Sequence, residues 1–157
     1  MTVSIRPVDK ENWNELVRLK VREDQKNFVA SNVYSIAEAQ FGYDEKDGRG
    51  HWDFYSYGIY DGDTPVGFLM YGINYDYPET QGLIVRLMVD ENHQGRGYGK
   101  VGMEKVLEIF RADRRIQNAI ITYAPENEGA RKLYASLGFE ETGEMMEGET
   151  VAVLRLR

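Results

Sequence analysis

The residues with the types and spacing to do chemistry are few. One set is Gln94-Gly95-Arg96-Gly97-Tyr98-Gly99-Lys100, in which three glycines alternate with longer side chains. Glycine lets a bulky anion approach backbone N–H groups and permits the positive φ that folds a loop into a nest. Arg96 and Lys100 add positive charge, so the chemistry suggested is phosphate binding. The chain has no cysteine, and His51 and His93 are its two histidines. A thiolate nucleophile, a serine-histidine-acid triad and a His-rich metal site therefore lack material, and the expectation is no metal. Group transfer without a covalent carrier runs directly between two bound substrates.

The elements around the loop would hold it in place. Before it, Leu83-Ile84-Val85-Arg86-Leu87-Met88-Val89 is short, largely branched and apolar, as suits a strand buried on both faces. After it, Met103, Val106, Leu107 and Phe110 recur at i, i+3, i+4 and i+7, with charged residues opposite, which predicts an amphipathic helix. The first turn of a helix carries unpaired N–H groups and about half a positive charge, a ready anion site.

Other phosphate loops fit less well. A P-loop requires Ser or Thr after the lysine, and Val101 follows Lys100. A dinucleotide fingerprint requires G-x-G-x-x-G, whereas these glycines strictly alternate. What remains, Q-x-x-G-x-G after a strand ending Val89-Asp90, resembles the acyl-CoA-binding motif of the GNAT superfamily of N-acyltransferases. A second stretch, Asn127-Glu128-Gly129-Ala130-Arg131-Lys132-Leu133-Tyr134-Ala135-Ser136-Leu137-Gly138-Phe139, resembles that superfamily's N-x-x-A-x-x-L-Y-x-x-x-G-F.

The resemblance implies roles. Acetyl-CoA would be the co-substrate, with the backbone of Leu87, Met88 and Val89 bonding its pantetheine arm and thioester carbonyl. Gln94, Gly95, Arg96, Gly97, Tyr98, Gly99 and Lys100 would hold the pyrophosphate, and Asn127 would reach the cofactor from the neighbouring helix. Tyr134 would stand beside the sulfur as general acid, since a phenol can protonate a departing thiolate. Many relatives carry an acidic base on or near the central strand. This strand offers Val85 and Arg86, which leaves Glu23, Asp24, Asp76, Glu79, Glu126 or a water relay as the base. Arg86 either pairs with a structural carboxylate or keeps cations away from that point.

In chain order, residues 3–8 read as a strand and Asp9 as the N-cap of a helix with Trp13, Leu16, Val17 and Val21 inward. Residues 23–32 form a loop or short helix, and Ser35 caps a second helix. Residues 43–51 form a loop, and 54–60 and 65–75 a hairpin. Residues 75–79 are a polar turn. Residues 118–123 are a strand, Asn127 caps a helix ended by Gly138, and 139–144 with 150–156 close the chain as a hairpin. The fold class is α/β (α+β), a GNAT-type mixed, mostly antiparallel central sheet covered by helices on both faces, in one domain spanning 1–157.

With 157 residues and 42% hydrophobic composition the chain can bury one core. The amino-terminal residues lack an apolar signal region and no stretch is long enough to span a bilayer, so the expectation is a cytoplasmic protein without a membrane partner. A net charge of −7 argues against nucleic acid and fits a cationic partner. Residues 25–30 and 35–39, with Gly143-Glu144 and Gly148-Glu149, resemble bacterial spermine/spermidine N-acetyltransferases of the diamine type. The acceptor implied is a small cationic amine, held by acids at 23, 24, 44, 45, 76 and 79 and by Tyr34, Tyr43, Tyr75 and Tyr77. A peptide amine, another small-molecule amine and a non-catalytic acyl-CoA sensor are alternatives. The superfamily's habit of pairing through its last strands makes Val151, Val153, Leu154 and Leu156 candidates for a homodimer contact.

Overall fold

The computed structural model describes residues 1–76 and 79–157. The order is β1 (Val3–Pro7), α1 (Trp13–Val17), a 3₁₀ turn (Glu23–Gln25), α2 (Asn32–Ala39), β2 (Tyr43–Asp44), β3 (His51–Asp61), β4 (Thr64–Asn74) and β5 (Thr80–Val89). Then come α3 (Tyr98–Ala112), β6 (Ile116–Tyr123), α4 (Glu128–Ser136), β7 (Glu140–Met146) and β8 (Glu149–Arg155). The strands lie in the order β1-β3-β4-β5-β6-β8-β7, with β2 on the start of β3, and among the described residues only β5 and β6 pair in parallel. The sheet is thus mixed and mostly antiparallel, as the sequence implied.

Alternation along β4 divides the core. Leu69, Tyr71 and Ile73 join Met103, Val106, Leu107 and Phe110 of α3 on one face. Phe68 and Met70 face the other way, where Ile36 and Ala39 of α2 cover them. Fully burying a side chain of this size stabilises by about 1.5–3 kcal/mol, so both helical layers are held by the same strand. Among the described residues no helix is long and apolar enough to cross a membrane.

Several boundaries differ from expectation. Asp9 is not the cap of α1; its carboxylate accepts from the N–H groups of Glu11 and Asn12 in a local turn, and Asn12 precedes the helix. The helix stops at Val17, short of Val21, because the N–H of Lys20 donates to the Asp90 carboxylate 3.0 Å away and draws the chain toward the end of β5. Ser31 caps α2 by accepting from the N–H of Tyr34, while Ser35 lies one turn in and bonds back to the Ser31 carbonyl. β2 and the first residues of β3 occupy what read as a loop, with Tyr43 pairing Trp52 and Asp44 pairing His51. Of the expected turn at 75–79, Tyr77 and Pro78 lie outside the described residues.

Strand β8 sits between β6 and β7. Leu154 and Leu156 pack on the main core and Val151 is buried, so these residues serve the chain's own sheet.

Candidate active site

A bulge builds the site. Met70 pairs with Arg86 and Tyr71 with Ile84, which leaves Val85 as an extra residue in β5. A bulge bends the strand that carries it and turns its side chains out of strict alternation. Val85 packs on the α2 face and Arg86 next to it also turns toward α2, while Leu87 and Val89 return to the α3 side. Pairing of β5 with β6 ends at the same place, at Ile84 opposite Ile121. Beyond it the strands part, and the edge of Leu87, Met88 and Val89 has no neighbour in β6.

The parting is a cleft of about 670 Å³, lined by 83–89 of β5, by Ile121, Thr122 and Tyr123 of β6, and by Asn127, Leu133 and Tyr134. Residues 27–30, the β7–β8 turn, Gln94 and Gly99 complete the wall. Burial of β5 is therefore incomplete where the sequence suggested both faces covered, because this part of the strand faces the cleft.

The glycine loop closes one end. Gly97, with φ of 85°, is the N-cap of α3, and the helix begins at Tyr98, earlier than expected. Gly95 is also left-handed, at 79°. The N–H groups of Tyr98, Gly99 and Lys100 precede the first full turn, in which the N–H of Val101 donates to the Gly97 carbonyl, so they have no partner within the helix. The Tyr98 side chain turns away, its hydroxyl donating to Asp61 at 2.5 Å. Of the loop, Gln94 and Gly99 line the cleft, while Gly95, Arg96, Gly97 and Lys100 are exposed beyond it. The Gln94 amide donates to the Val89 carbonyl and to Gln25, and its oxygen accepts from Arg22, so it ties the loop to β5 and the 3₁₀ turn. The Asn127 side chain accepts from the N–H of Ala130 as the cap of α4.

Tyr134 lines the cleft, and its hydroxyl has no hydrogen bond to any described residue. Its ring packs on Tyr123 at 5.5 Å and Phe139 at 6.0 Å between centroids. Burial pushes its pKa up, with smaller contributions from Tyr123 and Glu149, so the phenol stays protonated at neutral pH.

Arg86 takes the structural option. Its guanidinium donates to Glu38 of α2 at 3.1 Å and to the Val85 carbonyl at 2.9 Å, and its Nε is buried without a partner. None of the acids expected to serve as base or to bind the acceptor lines the cleft. Glu23 pairs with Lys26, Asp24 with Arg22 and Asp44 with His51, while Asp76 accepts from the His51 N–H. Glu45 accepts from the Trp52 indole, and Glu79 and Glu126 are exposed away from the cleft. Tyr34 and Tyr43 are exposed and Tyr75 donates to Asp113; Tyr77 lies outside the described residues. The carboxylates that do line the cleft, among the described residues, are Glu147 and Glu149 of the β7–β8 hairpin. Sequence reasoning did not assign them to the site, although Gly148-Glu149 was part of the narrower resemblance.

A family model described as the acetyltransferase (GNAT) family matches residues 11–139. The chain belongs to this family. It is accordingly an N-acetyltransferase, and the cleft beside Tyr134 is its candidate active site. A spermine/spermidine N(1)-acetyltransferase of Bacillus subtilis is 26% identical over 161 residues, covering 99% of this chain and 100% of that protein. Among solved structures, a spermidine N-acetyltransferase from Vibrio cholerae in complex with CoA and spermine superposes with a TM-score of 0.73 at 15% identity, covering 99% of this chain and 96% of that one. An aminoglycoside acetyltransferase in complex with coenzyme A gives 0.75 at 14% identity, covering 98% and 95%. At these identities the structural likeness establishes the GNAT fold.

Proposed function

We propose that the chain transfers an acetyl group from acetyl-CoA directly to a primary amine of a small polycation of the spermine or spermidine kind. The observation that carries the reading is the parting of β5 from β6 beside a tyrosine whose hydroxyl is free. The unpaired edge of Leu87, Met88 and Val89 offers backbone hydrogen bonds to the extended pantetheine arm and a donor to the thioester carbonyl oxygen. The first turn of α3, at Tyr98, Gly99 and Lys100, takes the pyrophosphate on its N–H groups, with Gln94 fixing the loop and Arg96 and Lys100 adding charge. Asn127 orients α4 so that Tyr134 stands beside the sulfur. Acetyl-CoA supplies the activated acyl group; Tyr134 supplies the proton its thiolate needs on leaving.

The polycationic acceptor is supported by the full-length similarity to a spermine/spermidine acetyltransferase and by Glu147 and Glu149, which give the open side of the cleft negative charge. A thiol-release assay with acetyl-CoA across spermine, spermidine, putrescine, a lysine peptide and an aminoglycoside tests this. Turnover confined to the polyamines is expected. Turnover on the peptide or the aminoglycoside instead contradicts the acceptor class and leaves the enzyme class standing.

A further inference from the structure

The amine that attacks a thioester arrives as an ammonium ion at neutral pH and must lose a proton before its nitrogen has a lone pair. The acids that the sequence offered for this task are paired or lie off the cleft, and Arg86, on the central strand, is bound to Glu38. Two carboxylates remain, and they differ. Glu147 sits at the turn of the β7–β8 hairpin with φ of 49°. Glu149 is the first residue of β8, and its Oε1 accepts a hydrogen bond from the Thr122 hydroxyl of β6 at 2.9 Å. That bond fixes the carboxylate on the wall that also carries Tyr134. No cation forms an ion pair with it among the described residues, and its second oxygen has no protein partner. Its charge also reaches the Tyr134 phenol.

We propose that Glu149 accepts the proton of the attacking ammonium group, acting as general base opposite the general acid Tyr134. This rests on the acetyl-transfer reading above. An N–H bond of the ammonium breaks and its proton passes to the Glu149 carboxylate. The freed lone pair forms the C–N bond at the thioester carbonyl carbon, the C–S bond breaks, and the sulfur leaves with the proton of the Tyr134 hydroxyl. The second proton shed by the nitrogen restores Tyr134, and Glu149 releases its proton to solvent, so one proton appears per turnover. The other titratable or charged side chains lining the cleft are Tyr123 and Tyr134 from β6 and α4, Glu147 from the turn and Arg86 from β5. Tyr123 is engaged as donor to Glu141 at 2.8 Å and Arg86 with Glu38; of the two carboxylates, Glu149 is the one held in place by a hydrogen bond from β6.

The test is kcat and KM against pH for wild type, Glu149→Gln, Glu149→Asp and Thr122→Val, on whichever amine wild type acetylates, with acetyl-CoA binding followed by thermal shift. Glu149→Gln is expected to lose about 10²–10³-fold in kcat near neutral pH. It should regain rate as pH rises and solvent delivers the free amine, with its acetyl-CoA shift unchanged. Glu149→Asp restores part of the rate, and Thr122→Val costs less than Glu149→Gln. A Glu149→Gln enzyme with wild-type kcat, or one whose deficit is the same at every pH, overturns the assignment. If the acetylated amine is a peptide, the polyamine reading falls, and the same pH comparison on that peptide still decides the role of Glu149.

Discussion

Strands β3 and β4 and the junction of β5 with β6 treat their polar groups in opposite ways. β3 and β4 pair from Asp53 opposite Ile73 to Asp61 opposite Thr64, and three of their tyrosines are engaged: Tyr60 donates to Glu15 at 2.7 Å, and Tyr57 and Tyr71 share a contact at 3.4 Å. At the junction, pairing ends at Ile84 and Ile121, and the Tyr134 hydroxyl has no hydrogen bond to any described residue. The contrast separates tyrosines that tie elements of the fold together from Tyr134, which lines the cleft and carries the proposed chemistry.

The largest expected effect breaks the comparison at the open end. Tyr134→Phe should lower kcat by about 10²–10³-fold while acetyl-CoA still binds and the melting temperature barely moves; an unchanged rate removes the phenol from the mechanism. The next acts through the loop at the cleft's end. Gly97→Ala places a Cβ in a left-handed cap, which costs about 1–2 kcal/mol. The melting temperature should fall by about 2–4 °C per kcal/mol for a chain of this size, with a raised KM for acetyl-CoA.

Tyr60→Phe is the counterpart in the closed region. It should cost about 1 kcal/mol of stability through the lost bond to Glu15, read by denaturant unfolding, and leave kcat alone. A drop in kcat without a drop in stability would blur the distinction between the two sets of tyrosines.

How much of this was legible in the sequence follows the distance over which each feature is decided. The strand, glycine loop and helix between Leu83 and Phe110 are fixed by local period and local turn chemistry; they stand as read in kind and order, while β5 starts earlier, at Thr80, α3 starts earlier, at Tyr98, and the strand's far part faces the cleft instead of being covered on both faces. Ser31 and Ser35 are both serines near one helix start, and the pattern alone does not say which hydroxyl meets a free N–H. Features set by remote partners were not legible. Lys20 meets Asp90 across 70 positions and Arg86 meets Glu38 across 48, and these contacts end α1 and assign Arg86. Glu149 reaches the site because β8 pairs with β6, a register that no local pattern contains.

Two smaller effects sharpen the picture at the edges. The Asp113 carboxyl is held down to about 2 by hydrogen bonds from Arg115 and then Tyr75, below its unfolded value near 3.8. Its contribution to stability is present above about pH 4 and is lost as pH falls toward 2, so it adds to an acid-side decline in thermal stability shared with Asp61, Asp90 and Glu141, which are also held below their ordinary values. Asp113→Asn should make that decline shallower. Glu147 and Gly148, at φ of 49° and 81°, form a two-residue turn that asparagine suits better than glutamate in its first position. Glu147→Asn should stabilise by about 0.5–1 kcal/mol and, on the proposed reading, raise the KM for the acceptor amine, a trade of fold against acceptor binding.

The central claim is that the cleft opened by the parting of β5 and β6 holds the acyl donor. A Cβ on Gly99 would lie at 3.6 Å from Val89 and 3.7 Å from Leu133, in ordinary contact, so a larger side chain there grows into the cleft without left-handed strain. Calorimetric titration of acetyl-CoA into wild type and Gly99→Leu tests the claim most directly. One site on wild type and at least a tenfold weaker one on the folded variant are expected; equal affinity for both would place the acyl donor elsewhere.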